Sequence, residues 1–156
     1  MRTLGIAALV VLGTLGGSRP GAAQEVRGFA GGGTASEYSR TYPSFGGGVL
    51  VDAGQRWVSL GAQGDGFVSW PYFAGRATLF AQGNLVPKGT YRPFVLAGRA
   101  FGELDGLMVG GGVEVRPAGS RIGFRASVEN YHKTYRGMYG SSSTNDVTMR
   151  VGVLFR

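Results

Sequence analysis

The chain has 156 residues, of which 30 are glycine and none is cysteine, with a single histidine and a formal net charge of +7. So much glycine without a Gly-X-Y period, beside 43% hydrophobic residues, excludes a collagen-like chain and argues against simple disorder. The absence of cysteine excludes a disulfide-stapled secreted fold, and one histidine leaves no ligand set for a metal.

Arg2 precedes an apolar run from Leu4 to Leu15, which gives way to Gly16 to Pro20 and then to the small residues Gly21, Ala22 and Ala23. This is the pattern of a cleavable signal peptide over residues 1–23, cut after Ala23. The run falls well short of the ~20 apolar residues that a spanning helix needs. Residues 24–156 then form one domain. The basic charge suits an anionic lipid surface, and export argues against nucleic acid as the partner.

Beyond Gln24 no 3.6-residue period is present. Short alternating segments separated by Gly, Pro, Ser and Asn clusters predict an all-β chain. The first strand is predicted over Glu25 to Gly32, followed by a polar loop from Thr34 to Tyr42. The second runs from Ser44 to Ala53, with Phe45, Gly47, Val49 and Val51 on one parity and Asp52 on the other, and ends in a tight turn at Ala53-Gly54-Gln55-Arg56. The third starts at Trp57 and the fourth covers Tyr72 to Gly83. Either Gly64-Asp65-Gly66 or Ser69-Trp70-Pro71 serves as the reversal between them, since Asp-Gly favours turns and proline cannot donate to a ladder.

Leu85 to Thr90 turns the chain into a fifth strand, Tyr91 to Phe101, where Arg92 and Arg99 fall on opposite parities, so that one points outward near an end. After a short loop from Gly102 to Gly106, the sixth strand (Leu107 to Arg116) and the seventh (Arg121 to Tyr131) flank a hairpin at Pro117 to Ser120. A loop over His132 to Asn145 leads to the last strand, Val147 to Arg156. There Val147, Met149, Val151, Val153 and Phe155 oppose Thr148, Arg150, Gly152 and Leu154. An arginine in mid-strand opposite an apolar stripe is expected where one face meets lipid and the other a polar barrel interior.

The fold class expected is therefore an all-β, eight-stranded antiparallel up-and-down transmembrane β-barrel. Segments of ~9 to 11 residues suit a tilted crossing, and closure leaves no orphan backbone groups in hydrocarbon. The parity sends Arg27, Asp52, Gln63, Arg76, Glu114, Arg116, Arg125, Glu129 and Arg150 inward. Opposite signs on neighbouring strands predict a paired ionic plug in a lumen just wide enough for side chains.

Two segments carry a resemblance. Val109-Gly110-Gly111-Gly112-Val113-Glu114-Val115-Arg116-Pro117 followed by Ile122-Gly123-Phe124-Arg125-Ala126-Ser127-Val128-Glu129-Asn130-Tyr131 resembles the penultimate hairpin of the small outer-membrane β-barrel family, which includes the OmpA barrel, OmpX and the opacity-type proteins. Tyr91-Arg92-Pro93-Phe94-Val95-Leu96-Ala97-Gly98 is similar to the strand before it. These motifs are degenerate patterns, and the resemblance covers nearly all of residues 24–156. It implies an outer-membrane location and a role in envelope integrity, adhesion or surface defence. Chains of the family usually end on an aromatic residue recognised by the outer-membrane assembly machinery, whereas here Arg156 follows Phe155.

No catalytic, cofactor-binding or metal-binding residue is assigned, and no cofactor is expected. His132 is followed by Lys133 and Thr134 rather than a serine nucleophile, so a lipid-modifying barrel enzyme lacks its triad. Glu114 and Glu129 are surrounded by arginines, which favours structural pairing over glycoside hydrolysis. The triple glycines at 31–33, 46–48 and 110–112 are not phosphate loops, because no Lys-Ser/Thr follows. Tyr42, Trp57, Trp70, Tyr91, Tyr131 and Phe155 near strand ends predict a membrane girdle. Lys133, Tyr135, Arg136, Met138 and Tyr139 form a basic, aromatic cluster in the last loop.

The expected function is a non-enzymatic, monomeric structural or surface-interaction protein. Its partners are outer-membrane lipid, lipopolysaccharide and the assembly machinery, with loops 34–42 and 132–145 as the surface for a further partner. The alternatives are a lipid-modifying enzyme and a soluble secreted barrel holding a small apolar ligand. The second requires the apolar stripes to face a cavity.

Overall fold

The computed structural model describes residues 25–37, 40–53, 57–69, 72–102, 105–137 and 140–156. They form a closed barrel in which each strand pairs antiparallel with its neighbours in sequence and β8 returns to β1. The strands are β1 (Val26–Glu37), β2 (Arg40–Asp52), β3 (Val58–Ser69), β4 (Tyr72–Asn84), β5 (Tyr91–Gly102), β6 (Gly106–Val115), β7 (Ile122–Gly137) and β8 (Gly140–Phe155). The signal-peptide reading of residues 1–23 and the turn residues 54–56 lie outside the described residues, as do Trp70, Pro71, Met138 and Tyr139.

One end of the barrel carries the start of β1, the end of β8 and the three turns after β2, β4 and β6; we call it the turn end. There Ala53 donates to the Val58 carbonyl at 2.9 Å and Leu85 to that of Pro93 at 2.9 Å. In the third turn Ser120 donates to the Pro117 carbonyl at 3.1 Å, and Gly119 has φ +74°. A positive φ at the third position of a turn is the left-handed geometry that glycine adopts at no steric cost.

The opposite, hairpin end corrects the predicted loops. Residues 34–37 and 40–42 are strand, with Thr34 opposite Pro43 and Ser36 opposite Thr41. Residues 132–137 and 140–145 are strand as well, from His132 opposite Asn145 to Gly137 opposite Gly140. Their polar, glycine- and serine-rich sequence hides this, because a strand without an apolar stripe leaves no alternation to read. β8 pairs with β1 only up to Val147 and β7 with β6 only up to His132. Among the described residues, 133–137 and 140–146 therefore pair only with each other along the ladder, as a two-stranded ribbon.

The reversal between β3 and β4 falls after Ser69, not at Gly64-Asp65-Gly66, which lies within β3. Asp65 stands opposite Arg76 on β4, an ion-pairing position that outweighs the turn preference of Asp-Gly.

The two faces of the wall differ sharply. Val58, Leu60, Val109, Ile122, Phe124, Met149 and Val151 are all exposed on the outside. Inside, Phe29, Leu50, Phe80, Phe94, Leu96, Met108 and Leu154 are buried together. β5 is the exception to polar-in alternation. Beyond Arg92 at the turn-end mouth its inward face is apolar, with Phe94, Leu96 and Ala100 buried, and this is why its pattern reads poorly in sequence. Of its two arginines Arg99 is the one that points outward, near the hairpin end, and pairs with Asp105 at 3.4 Å.

Three inward phenylalanines each face a glycine directly across the ladder: Phe29 opposite Gly48, Phe80 opposite Gly61 and Phe94 opposite Gly112. In each pair the ring lies where the glycine's β-carbon would stand, with Phe29 Cζ at 2.8 Å, Phe80 Cζ at 2.5 Å and Phe94 Cζ at 2.7 Å. The glycines thus let large rings fold flat against a tightly curved wall.

Candidate functional site: the charged lumen and its two ends

Alternation of strand side chains carries polar residues from every strand but β5 into the lumen as fully buried groups. Among the described residues the buried cations are Arg27, Arg76, Arg125, Lys133 and Arg150, and the buried carboxylates are Asp52, Asp65, Glu114, Glu129 and Asp146. Equal numbers of opposite sign meet the requirement that a charge removed from water be paired.

Nearest the turn end, Glu114 is the hub. Its carboxylate accepts from Arg27 Nη1 at 2.9 Å and 3.2 Å, Arg125 Nη1 at 2.6 Å, Gln82 Nε2 at 3.2 Å and Arg116 Nη2 at 2.5 Å. Arg27 also pairs with Asp52 and donates to Ser59 Oγ at 2.8 Å. The Arg125 guanidinium lies over the rings of Phe94 and Phe29, with Cζ 4.1 Å and 4.9 Å from their centroids. Charge and aromatic face thus stabilise one another.

A second cluster sits further up the lumen. Arg150 spans two acids, donating to Asp65 at 2.6 Å and to Glu129 at 3.3 Å. Asp65 also pairs with Arg76 at 2.9 Å. Glu129 accepts from Tyr131 Oη at 2.7 Å, Gln63 Nε2 at 2.9 Å and Ser127 Oγ at 3.0 Å. Arg76 Cζ stands 3.3 Å from the Tyr131 ring centroid and 4.7 Å from that of Phe67. Above this layer Lys133 pairs with Asp146.

All nine residues predicted to face inward do so. Eight are buried, and Arg116, partly exposed, lies at the turn-end mouth and bridges Glu114 to Glu25 at 3.3 Å. The sequence reading missed Asp65, taken as one option for a turn, and Asp146, which fell between the predicted loop and the last strand. It also misplaced two side chains. Tyr131 is wholly buried in the lumen and does not belong to the girdle, and Lys133 is a buried ion-pair partner rather than a surface cation of the last loop. Both errors come from ending β7 at Tyr131. The odd parity of Tyr131 and Lys133, continued from Arg125 and Glu129, is the signal that would have found them.

Trp57, Tyr91 and Phe155 are exposed at the turn end, and Phe45, Phe73 and Phe101 toward the hairpin end, so aromatics border the apolar wall on both sides. Tyr42 is half-buried on the inward parity of β2. His132 meets Asn145, with Nδ1 to Oδ1 at 2.9 Å. No group of three metal-ligating side chains occurs among the described residues. The soluble-barrel alternative needed the apolar stripes inside, and they are outside.

No protein-family model matches the chain, and no curated protein matches its sequence. Solved structures do match its fold. Neisserial surface protein A (NspA) superposes with a TM-score of 0.59 at 12% identity, over 83% of this chain and 94% of that one. The N-terminal β-barrel domain of Pseudomonas aeruginosa OprF does so with a TM-score of 0.56 at 18% identity, over 83% of this chain and 96% of that domain. At such identities the likeness is one of fold, and at that level the resemblance read from the sequence holds: the chain is similar to these small eight-stranded barrels.

Proposed function

We propose that this chain is an exported, non-enzymatic outer-membrane barrel. Residues 1–23 direct export and are removed, residues 24–156 span the membrane as a monomer, and the role is envelope structure or surface interaction. The observation that carries this reading is the inversion of the barrel, with aliphatic side chains on its outer wall and paired charges in its lumen. In water that wall is an aggregation surface; in lipid it is the required one. From Val58 to Val68 the strand rises ~33 Å, which at a tilt of ~40° gives about 25 Å, the height of an outer-membrane apolar band.

The filled lumen supports a plug in preference to a wide aqueous channel. Lipopolysaccharide is the expected outer-leaflet partner of such a barrel, and the outer-membrane assembly machinery is the expected partner in biogenesis. Segments 34–42 and 132–145, at the hairpin end, are the surface offered to any further partner, since binding residues concentrate where a rigid scaffold ends. Nucleic acid has no place in this reading.

The test is to refold residues 24–156 with and without detergent micelles and to compare gel mobility before and after boiling. Compact migration that depends on micelles and shifts on boiling supports the reading. A monomer that folds in buffer alone overturns it.

A further inference from the structure

We propose that the mouth of the barrel at the turn end is a binding site for a phosphate ester, taken by the guanidinium groups of Arg92 and Arg121. The mouth is a concave vestibule of about 710 Å³. Its lining includes Arg27, Arg92, Arg116, Arg121 and Arg156 against one carboxylate, that of Glu25. The local charge is therefore strongly positive.

The carboxylates within reach are already engaged. Glu25 accepts from Arg116 at 3.3 Å and from Arg156 at 3.2 Å. Glu114, just below, is held by Arg27, Arg116, Arg125 and Gln82. Arg92 stands directly across the ladder from Glu114, yet its guanidinium bonds only through Nε, to the Gly89 carbonyl at 3.0 Å. Arg121 has no carboxylate within ion-pairing distance among the described residues, and Arg27, buried beneath them, has an Nε with no acceptor.

The lumen thus balances its charges, whereas its mouth gathers cations and leaves two of them without an acid. A concave surface of one sign focuses its field and raises the local concentration of the opposite ion. Guanidinium forks match phosphate oxygens in bidentate fashion, so one from β5 and one from the turn before β7 suit a phosphate better than a halide. The volume admits a phosphate with a small polar group attached, such as glycerol, and falls in the range of small-molecule sites. Two sources offer this chemistry: a soluble phosphate ester, and a phospholipid headgroup at the rim where Tyr91 and Phe155 are exposed. The site itself does not depend on the outer-membrane placement; only the lipid source does.

The experiment uses protein labelled at arginine Nε and refolded in uncharged, phosphate-free maltoside micelles. It follows the side-chain resonances during titration with glycerol phosphate, with short-chain phosphatidylglycerol, and with sodium chloride at matched ionic strength. The expected result is a saturable shift of Arg92 and Arg121, with Arg99 at the far end unmoved. In Arg92→Gln/Arg121→Gln the affinity should fall at least tenfold while the boiling-dependent mobility shift persists. Saturation by glycerol phosphate identifies a soluble ester, and saturation by the lipid alone identifies a headgroup. The proposal is overturned if neither ligand saturates, if chloride reproduces the shift, or if the double variant binds as tightly as the parent. The titration of the parent protein decides the matter even if the variant fails to fold.

Discussion

Phe94 and Gly112 face one another across the β5–β6 ladder, and the Phe94 ring fills the space that a β-carbon on Gly112 would claim, with Cζ 2.7 Å from that position. Backbone lies against the same position, since the α-carbon of Ser127 is 2.9 Å away. Gly112→Ala should therefore destabilise the barrel by about 1–3 kcal/mol, the usual cost of overpacking a filled core. Gly64→Ala is the control, because nothing lies within 4 Å of its β-carbon position. Urea unfolding in micelles, followed by tryptophan fluorescence, should separate the two variants. Equal midpoints would refute the packing argument.

Removing the Glu114 carboxylate leaves Arg27 and Arg125 buried with one acid fewer between them. The expected cost of Glu114→Ala is about 3–5 kcal/mol, as for other buried pairs that lose one partner. Asp105→Ala breaks the Arg99–Asp105 pair, whose side chains are 62% and 56% exposed, and should cost at most about 1 kcal/mol. Unfolding midpoints of the two variants, measured side by side, check the ranking.

On the outer wall Val151 is 66% exposed. If lipid covers that wall, Val151→Arg should lose about 2–4 kcal/mol in bilayers, the penalty of a cation at mid-depth on a barrel's lipid face. Folding yield into vesicles, read by the boiling shift on gels, is the measurement. A yield equal to that of the parent protein would argue that this face does not meet hydrocarbon.

In the ladders of the described residues, the ribbon beyond His132 and Val147 is formed by β7 and β8 alone. Replacing residues 134–143 by an Asn-Gly turn should therefore leave the barrel ladder, the lumen network and the boiling shift intact, while abolishing any binding that this projection supports. Loss of the folded, fast-migrating form would mean that the ribbon contributes to the barrel itself.

By itself the sequence determined the wall. Alternation at Val147 to Phe155 and along β6 and β7 marked which residues face out, because a period of two is forced by strand geometry and needs no tertiary knowledge. The same parity marked Arg27, Glu114, Glu129 and Arg150 as inward. It failed where alternation lapses. β5 turns an apolar face into the lumen, and residues 34–37, 40–42, 132–137 and 140–145 remain strand although their composition reads as loop.

Only the tertiary structure decided who meets whom. Arg27 finds Glu114 from 87 positions away, and Arg150 finds Asp65 from 85, because closure of the barrel brings distant strands across one narrow lumen. Register, which a one-residue slip would reverse, set Phe29, Phe80 and Phe94 opposite glycines and Asp65 opposite Arg76. The cationic mouth likewise exists only after closure, since Arg92, Arg116, Arg121 and Arg156 come from separate strands and turns, and their charges add only once they share one vestibule.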